Sequence, residues 1–350
     1  MARWSSRASF ARLNKGITIA GGGLAGLSLA VGLRKRGVPV VLHEAARYPR
    51  HRVCGEFISG VKRSTLEALG VSGDLADAQR NVRAMWFRKG DELLDAKMPE
   101  AALGISRYLL DERLRDRLIA EGGAVEEGSR CVRESREGLV WAAGRLPRKG
   151  GWIGLKCHLL DFPMRAELEM HLGSNGYAGL APIEDGRVNV CGLFKLDRAR
   201  KGEGSGLLLD YLRHGGNGEL ADRIERACVD ESSFLGVSAF ELGWQGGDES
   251  LCTVGDAEGM IPPFTGNGMS MAFESAELAL EPLLLWSQGE LAWEVAVRRI
   301  HEAARRKFRR RVASAMALHK VLLDARGQRL IAAISKTGLL PFRPLLSLVR

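Results

Sequence analysis

The chain has 350 residues, of which 45% are hydrophobic and 27% are charged, and its formal net charge is +9. A chain of this length and composition folds around one or two hydrophobic cores and is neither low-complexity nor fibrous. No stretch reaches the ~18 uninterrupted apolar residues of a membrane-spanning helix, so we expect no transmembrane segment.

The six cysteines are scattered along the chain and form no C-x-x-C pair. Neither a zinc site nor a disulfide framework is predicted from this spacing, and no other metal-ligand pattern stands out. We therefore expect reduced thiols, no metal and a cytoplasmic location.

Residues 17–44 form a strand–helix–strand pattern around three glycines. An apolar strand at 17–20 is followed by Gly21, Gly23 and Gly26 in G-x-G-x-x-G spacing. In this pattern the first glycine makes a tight turn, the second admits a pyrophosphate and the third lets helix and strand pack closely. The spacing predicts a dinucleotide-binding unit.

The helix and the second strand of this unit complete the pattern. Leu24 and Ala25 open the helix, where unpaired N–H groups and the helix dipole favour an anion. The second strand, at 38–42, leads to Glu44. A carboxylate at this position accepts hydrogen bonds from ribose hydroxyls and repels a 2′-phosphate.

A second glycine-rich segment lies at residues 253–281. A strand ends there, Gly255-Asp256 makes a turn, and a Pro-rich loop leads to Gly266-Asn267-Gly268 and a long helix. Together the two segments resemble the FAD-binding motifs of the para-hydroxybenzoate hydroxylase superfamily, which includes aromatic hydroxylases, flavin halogenases and geranylgeranyl reductases. The resemblance implies that Asp256 binds the ribityl chain of FAD and that Pro263 and the 266–268 amides lie beside the isoalloxazine ring.

Two shorter segments resemble the same superfamily. Residues 52–59, with Cys54 and Gly55, are similar to the CGE segment of the geranylgeranyl reductases. Residues 106–114 are similar to an Arg-x-x-x-Asp-x-x-Leu stretch, and the resemblance implies that Arg107 approaches the cofactor.

The resemblance also places Cys54 near the substrate side of the flavin, where it is our one catalytic candidate. The alternative is a buried cysteine that only packs, which is the commoner role of free cysteine. His158 and His171 lie on predicted strands, and we expect both to serve packing.

Departures from the superfamily concern the electron donor and the substrate. No aspartate precedes Gly144, where NAD(P)H-dependent hydroxylases carry an Asp-Gly pair, so the reductant is open between NAD(P)H and a separate electron-donor protein. The lysine and W-x-W-x-I-P motif of flavin halogenases are not found. The reductases' Tyr-x-Trp-x-Phe-Pro pattern is matched in part, and the corresponding residues are predicted to contact substrate: Tyr177, Gly179, Ala181 and Pro182.

Both ends of the chain differ from its middle. Residues 1–15 contain no acidic residue and no apolar run of a secretory signal, and they are predicted to be a disordered tail. Residues 301–350 carry twelve Lys and Arg against two acidic residues. The region 291–350 is predicted to be helical, and residues 305–350 either form a solvated cap or contact an anionic membrane surface peripherally. No nucleic-acid motif accompanies the basic run.

The predicted fold is α/β (α+β): a Rossmann-like FAD-binding domain with an inserted β-sheet substrate domain and a helical C-terminus. The FAD-binding domain is predicted to comprise residues 16–75, 100–150 and 250–290. The substrate sheet is predicted to comprise residues 76–99 and 151–249.

The function predicted from this resemblance is that of an FAD-dependent oxidoreductase. We favour a monooxygenase that hydroxylates a bulky apolar or polyketide-derived aromatic molecule. Two alternatives stay open: a geranylgeranyl reductase-like alkene reductase of prenyl lipids, and a flavin-binding protein without catalysis.

Overall fold

The computed structural model describes residues 14–245, 247–337 and 341–350. Most of the predicted N-terminal tail, residues 1–13, therefore lies outside the described residues. The two residues of that tail which the structure describes, Asn14 and Lys15, contact the rest of the chain. The Asn14 side chain donates to the Gly37 carbonyl at 3.1 Å, and the Lys15 amide donates to the Ser287 carbonyl at 2.8 Å.

Fifteen strands occur in the described residues. In chain order they are β1 (Ile17–Ala20), β2 (Val40–Glu44), β3 (Phe57–Ile58), β4 (Gln79–Arg88), β5 (Asp91–Gly104), β6 (Ala124–Glu127), β7 (Leu139–Trp141), β8 (Trp152–Leu160), β9 (Leu168–Leu172), β10 (Gly176–Pro182), β11 (Val188–Lys195), β12 (Cys228–Ser238), β13 (Gly243–Trp244), β14 (Cys252–Thr253) and β15 (Gly259–Met260).

Nine α-helices occur in the same residues. They are α1 (Leu24–Arg34), α2 (Arg63–Leu69), α3 (Arg107–Ala120), α4 (Gly204–His214), α5 (Gly218–Glu225), α6 (Gly268–Ser287), α7 (Trp293–Leu323), α8 (Ala325–Lys336) and α9 (Phe342–Ser347).

The first sheet is parallel, with strand order β14-β7-β1-β2-β6. Helix α1 packs against α3 and α6, and ten of its residues from Leu24 to Leu33 are buried. The helix therefore shows little amphipathic periodicity, because it is enclosed on nearly all sides. This arrangement is the predicted Rossmann-like unit.

The second sheet has eight strands in the order β12-β8-β11-β10-β9-β4-β5-β3. All its neighbours are antiparallel except β4 and β9. Two of its strands extend into ranges that we predicted for the FAD domain: β3 at 57–58, and the end of β5, which pairs with β3 up to Gly104. Backbone pairing at the junction of the domains therefore runs past the predicted boundary at residue 99.

The two faces of this sheet differ. Side chains alternate along a strand, so neighbours on β8 point to opposite faces. Leu155, Cys157 and Leu159 belong to the core beneath α4 and α5. Lys156 and His158 therefore point to the other face, where both contact Glu56 in the segment between β2 and β3. The predicted hairpin turn at 184–186 joins β10 and β11.

The C-terminal helices contact both sheets. Helix α7 packs along α6 and touches β14 of the first sheet, whereas α8 and α9 contact β5 of the second. Beyond α9, Val349 is buried and the Arg350 guanidinium donates to Ser59 Oγ at 2.6 Å. Among the described residues, no helix is both long enough and apolar enough to span a bilayer.

Candidate functional site

The three glycines of the first motif lie where a side chain would collide or obstruct. Gly21 has a φ of +110°, and a Cβ there would come within 2.5 Å of the backbone of Ala142 and Ala143. A Cβ on Gly26 would lie 2.1 Å from the Gly21 carbonyl oxygen. Gly23 is the N-cap of α1, and a Cβ there would meet only Arg107, at 3.8 Å. Its lack of a side chain leaves the space in front of the helix open.

Glu44 anchors the end of β2. Its Oε2 accepts from the Gly22 amide at 2.8 Å and lies 3.3 Å from Arg52 Nη2. Its Oε1 lies 3.2 Å from Arg50 Nη2. The carboxylate is thus held at the mouth of the glycine turn by two arginines, and its role towards ribose stays a prediction.

Arg107 begins α3 and faces the glycine turn. Its Nε and Nη2 both lie 2.7 Å from the carboxylate of Asp111, which is fully buried. Arg52 Nε donates to the same carboxylate at 2.9 Å. Asp111 therefore holds two guanidinium groups near Gly23 and the N-terminus of α1, an arrangement that suits a pyrophosphate.

The second motif forms the facing wall. Gly255 has a φ of +67°, its amide donates to Ser275 Oγ at 2.9 Å, and the Asp256 side chain that follows it is exposed. Three arginines lie near enough to Asp256 to act on its charge: Arg107, Arg145 and Arg52. Asp256 thus opens onto the same crevice as the glycine turn.

The loop before α6 is held against β3. Gly266 has a φ of +65°, and a Cβ there would lie 2.0 Å from the Phe57 ring. The Ser59 amide donates to the Gly266 carbonyl at 3.2 Å. Asn267 is fully buried, and its Nδ2 donates to the Thr265 carbonyl at 2.9 Å. These contacts fix the turn whose last glycine, Gly268, starts the helix.

An apolar pocket lies between this loop and the second sheet. It encloses roughly 690 Å³ of space, part of it open to solvent. Aromatic and aliphatic side chains dominate its wall, with Glu169 as the charged group. The lining residues are Gly55, Phe57, Ala84, Trp86, Met98, Leu168, Glu169, Met170, Tyr177, Gly179, Leu180, Cys191, Pro263, Phe264, Thr265, Phe342 and Leu346.

Two of the four predicted substrate residues line this pocket. Tyr177 and Gly179 line it, together with Gly55 and Pro263 from the predicted cofactor set. Ala181 and Pro182 lie further along β10 and are not part of the lining.

Tyr177 contacts helix α7 of the C-terminal region. Its hydroxyl lies 3.3 Å from His319 Nδ1, and burial raises the pKa of the phenol. Phe342 and Leu346 of α9 close the outer side of the pocket. Sequence reasoning did not place the C-terminal helices at the site.

A buried polar network lies next to the pocket. Lys156 Nζ is 3.0 Å from Glu56 Oε1, and His158 Nε2 is 2.7 Å from Glu56 Oε2. All three side chains are at most 1% exposed. The Arg107 amide also donates to Glu56 at 3.0 Å, and these partners hold the pKa of the Glu56 carboxyl below its usual value despite its burial. The network can hold a proton at a defined place.

This network was missed from the sequence. We expected His158 only to pack, whereas it forms a hydrogen bond to a buried carboxylate. The one available signal was the alternation of Lys156 and His158 with apolar residues on β8. His171 does pack, with its ring stacked on Phe87 at 4.8 Å, and its Nε2 lies 2.9 Å from Glu169.

Cys54 is half-buried beside this network. Its Sγ accepts from the Glu56 amide at 3.4 Å, and burial raises the pKa of the thiol. Cys54 is therefore a thiol at neutral pH, a state that fits packing or proton donation and not nucleophilic attack.

The arrangement is a glycine-rich crevice beside an apolar pocket under a mixed sheet. No protein-family model matches the chain. The solved structures that it resembles include a probable FAD-dependent monooxygenase and an FAD-dependent halogenase. This similarity confirms the predicted fold, which is the one expected from the resemblance to the para-hydroxybenzoate hydroxylase superfamily.

Two solved structures illustrate the similarity. PqsL of Pseudomonas aeruginosa, in complex with 2-aminobenzoylacetate, is 18% identical, with a TM-score of 0.71 over 92% of this chain and 100% of that one. HpxO of Klebsiella pneumoniae, complexed with FAD and uric acid, is 16% identical, with a TM-score of 0.72 over 95% of each chain.

Among curated proteins, a menaquinone reductase of Mycolicibacterium smegmatis is 23% identical over 318 residues. The match covers 76% of this chain and 75% of the reductase.

Proposed function

We propose that this chain is an FAD-dependent oxidoreductase. The observation that carries the proposal is the position of the loop that leads into α6. Residues 263–265 of this loop line the apolar pocket, and α6 itself packs along α1, the helix that follows the glycine turn. A molecule in the pocket would thus lie beside the end of a dinucleotide bound at Gly23. The FAD-dependent proteins that share this fold support FAD as that dinucleotide.

The side chains and backbone groups at the crevice are chemically suited to bind FAD. The open space at Gly23 and the guanidinium groups of Arg52 and Arg107 suit its pyrophosphate. Asp256 would accept from the ribityl hydroxyls, and the amides at the start of α6 would lie beside the ring. Bound FAD supplies two-electron redox chemistry.

The reaction that we favour is monooxygenation of a bulky apolar or polyketide-derived aromatic molecule. The pocket supports an apolar ligand, because aliphatic side chains and the aromatic rings of Trp86, Tyr177 and Phe264 line most of it. These side chains would orient a flat apolar molecule and exclude water from it. Glu56, Lys156 and His158 would hold the proton that such a reaction moves.

Reduction of an apolar quinone or alkene is the second candidate. It is favoured by the name of the menaquinone reductases and by the same apolar pocket. Both candidates leave the reductant open between NAD(P)H and an electron-donor protein.

One experiment separates the candidates. The FAD-loaded protein is reduced under argon and supplied with aromatic, polyketide and prenylated quinone compounds, and each mixture is then divided between ¹⁸O₂ and argon. A monooxygenase forms ¹⁸O-labelled product only with oxygen, whereas a reductase forms its product under argon. Failure to bind FAD would refute the proposal, and FAD binding without any product would indicate a flavin-binding protein without catalysis.

A further inference from the structure

Three side chains that are far apart in the sequence meet at the end of the mixed sheet. His51 lies in the loop between β2 and β3, His158 on β8 and Asp230 on β12. One nitrogen of each imidazole and one carboxylate oxygen lie within 4.8 Å of one another. We propose that these three residues bind a single divalent transition-metal ion, with zinc as the ion that best fits two imidazoles and one carboxylate.

His158 has the environment of a metal ligand. Its Nε2 lies 2.7 Å from Glu56, whereas within the described part of the chain its buried Nδ1 has no hydrogen-bond partner. Ligating histidines usually donate their other N–H to a carboxylate, which fixes the tautomer and the orientation of the ring. Glu56 therefore leaves the lone pair of Nδ1 for a metal ion, and that ion would satisfy a buried polar atom.

His51 offers a half-buried imidazole to the same site. Lys156 Nζ lies 3.4 Å from His51 Nδ1, longer than a normal N–H···N bond, and 3.0 Å from Glu56 Oε1. The ammonium is thus anchored on Glu56, and the imidazole is available to another cation.

Asp230 is oriented by its own turn. Oδ1 accepts from the Ser232 amide at 3.1 Å and from its hydroxyl at 2.5 Å. Oδ2 lies 3.7 Å from Arg187 Nη1, a partly exposed pair that a metal ion can displace. The pairing of β12 with β8 is irregular between Asp230 and Leu235, and such bulges redirect side chains.

The three donors need only a small adjustment. Metal–ligand distances of about 2.0–2.2 Å place tetrahedral donors roughly 3.4 Å apart, which rotation of the half-buried His51 and Asp230 side chains can provide. A fourth position stays open to water. The ion would tie the loop that carries Cys54 and Gly55 to the second sheet, and so fix one side of the pocket.

Metal binding is tested on untagged, FAD-loaded protein and, in parallel, on apoprotein. After dialysis against a chelator, each is titrated with Zn²⁺ alone by calorimetry and with Co²⁺ by visible absorption. We expect one ion per chain, and binding at least tenfold weaker in His51→Ala and in Asp230→Asn. The control His214→Ala alters an exposed histidine on α4 and should bind as the wild type does.

Thermal unfolding supplies a second measurement. Zinc should raise the Tm of the wild type and of the control but not that of His51→Ala or Asp230→Asn. No stoichiometric binding, or unchanged affinity in the two ligand variants, would overturn the proposal. Because apoprotein is tested in parallel, this result does not depend on whether FAD binds.

Discussion

Glu56 and Lys156 face each other where the two sheets meet, with 3.0 Å between Oε1 and Nζ, and both side chains are completely buried. The pair joins the segment after β2 to β8, the strand next to the edge strand β12 of the mixed sheet. Removing one partner of such a pair leaves a charge buried without compensation.

The first prediction concerns this pair. Lys156→Met and Glu56→Gln should each lower the free energy of unfolding by about 3–5 kcal/mol. The double variant should lose clearly less than the sum, because it leaves neither charge unpaired. Urea unfolding of apoprotein at pH 7 measures all three. Glu67→Gln is the control, since its 2.7 Å pair with Arg63 is exposed and should cost less than about 1 kcal/mol. Additive losses would contradict a coupled pair.

The second prediction concerns the dinucleotide. Gly23→Val should abolish FAD binding with little effect on folding, because only Arg107 lies near the added Cβ. Wild-type protein should bind FAD tightly and FMN weakly, since FMN lacks the adenosine half. Quenching of flavin fluorescence measures both. Gly206→Val is the control, on α4 where a Cβ has open space. Full FAD affinity in Gly23→Val would refute the assigned crevice.

The third prediction concerns electron supply. Without an aspartate before Gly144, NADPH alone should reduce the bound flavin more slowly than typical turnover, which is ~1–10³ per second. Anaerobic stopped-flow absorbance measures the rate. Reduction within that range would show that the missing Asp-Gly pair does not matter and that no donor protein is needed.

The fourth prediction concerns acid stability. Burial lowers the pKa of His319 to about 4, against its ordinary value of 6.5. Below pH 6.5 the imidazole of His319 is protonated in the unfolded chain but stays neutral in the folded protein. The free energy of unfolding therefore falls as the pH drops towards 4. The loss from this residue is at most about 3 kcal/mol. In His319→Asn, the free energy of unfolding measured with urea should fall less between pH 6.5 and 4 than in the wild type, by up to about 3 kcal/mol. An unchanged slope would show that His319 is not held neutral.

The fifth prediction concerns the basic C-terminal region, for which we propose peripheral contact with anionic lipid. The cations Arg306, Arg309 and Arg310 are exposed on α7, whereas Phe342 and Leu346 are occupied at the pocket. Binding to anionic vesicles should thus be mainly electrostatic, worth about 1 kcal/mol per cation at the surface and weakened by salt. Replacing the three arginines with glutamine should reduce vesicle sedimentation without loss of FAD. No sedimentation of the wild type at low salt would leave the helix as a solvated cap.

The sequence alone determined the Rossmann-like unit and the order of the motifs, because both depend on short-range chemistry. The turn at Gly21, the close packing at Gly26 and the helix start at Gly268 each require glycine for reasons local to the backbone. Such requirements can be recognised from the sequence alone. The alternation along β10 and β11 is equally local, and so the hairpin between them was predictable.

Only the tertiary structure decided which distant side chains meet. Glu56, Lys156 and His158 form a network because β8 turns its polar face towards the segment after β2, and no spacing in the sequence encodes that contact. His51, His158 and Asp230 likewise converge through strand pairing and a bulge. The place of Phe342 and Leu346 at the pocket depends on packing between segments that are distant in the sequence. A local pattern does not specify such packing, because the whole core sets it.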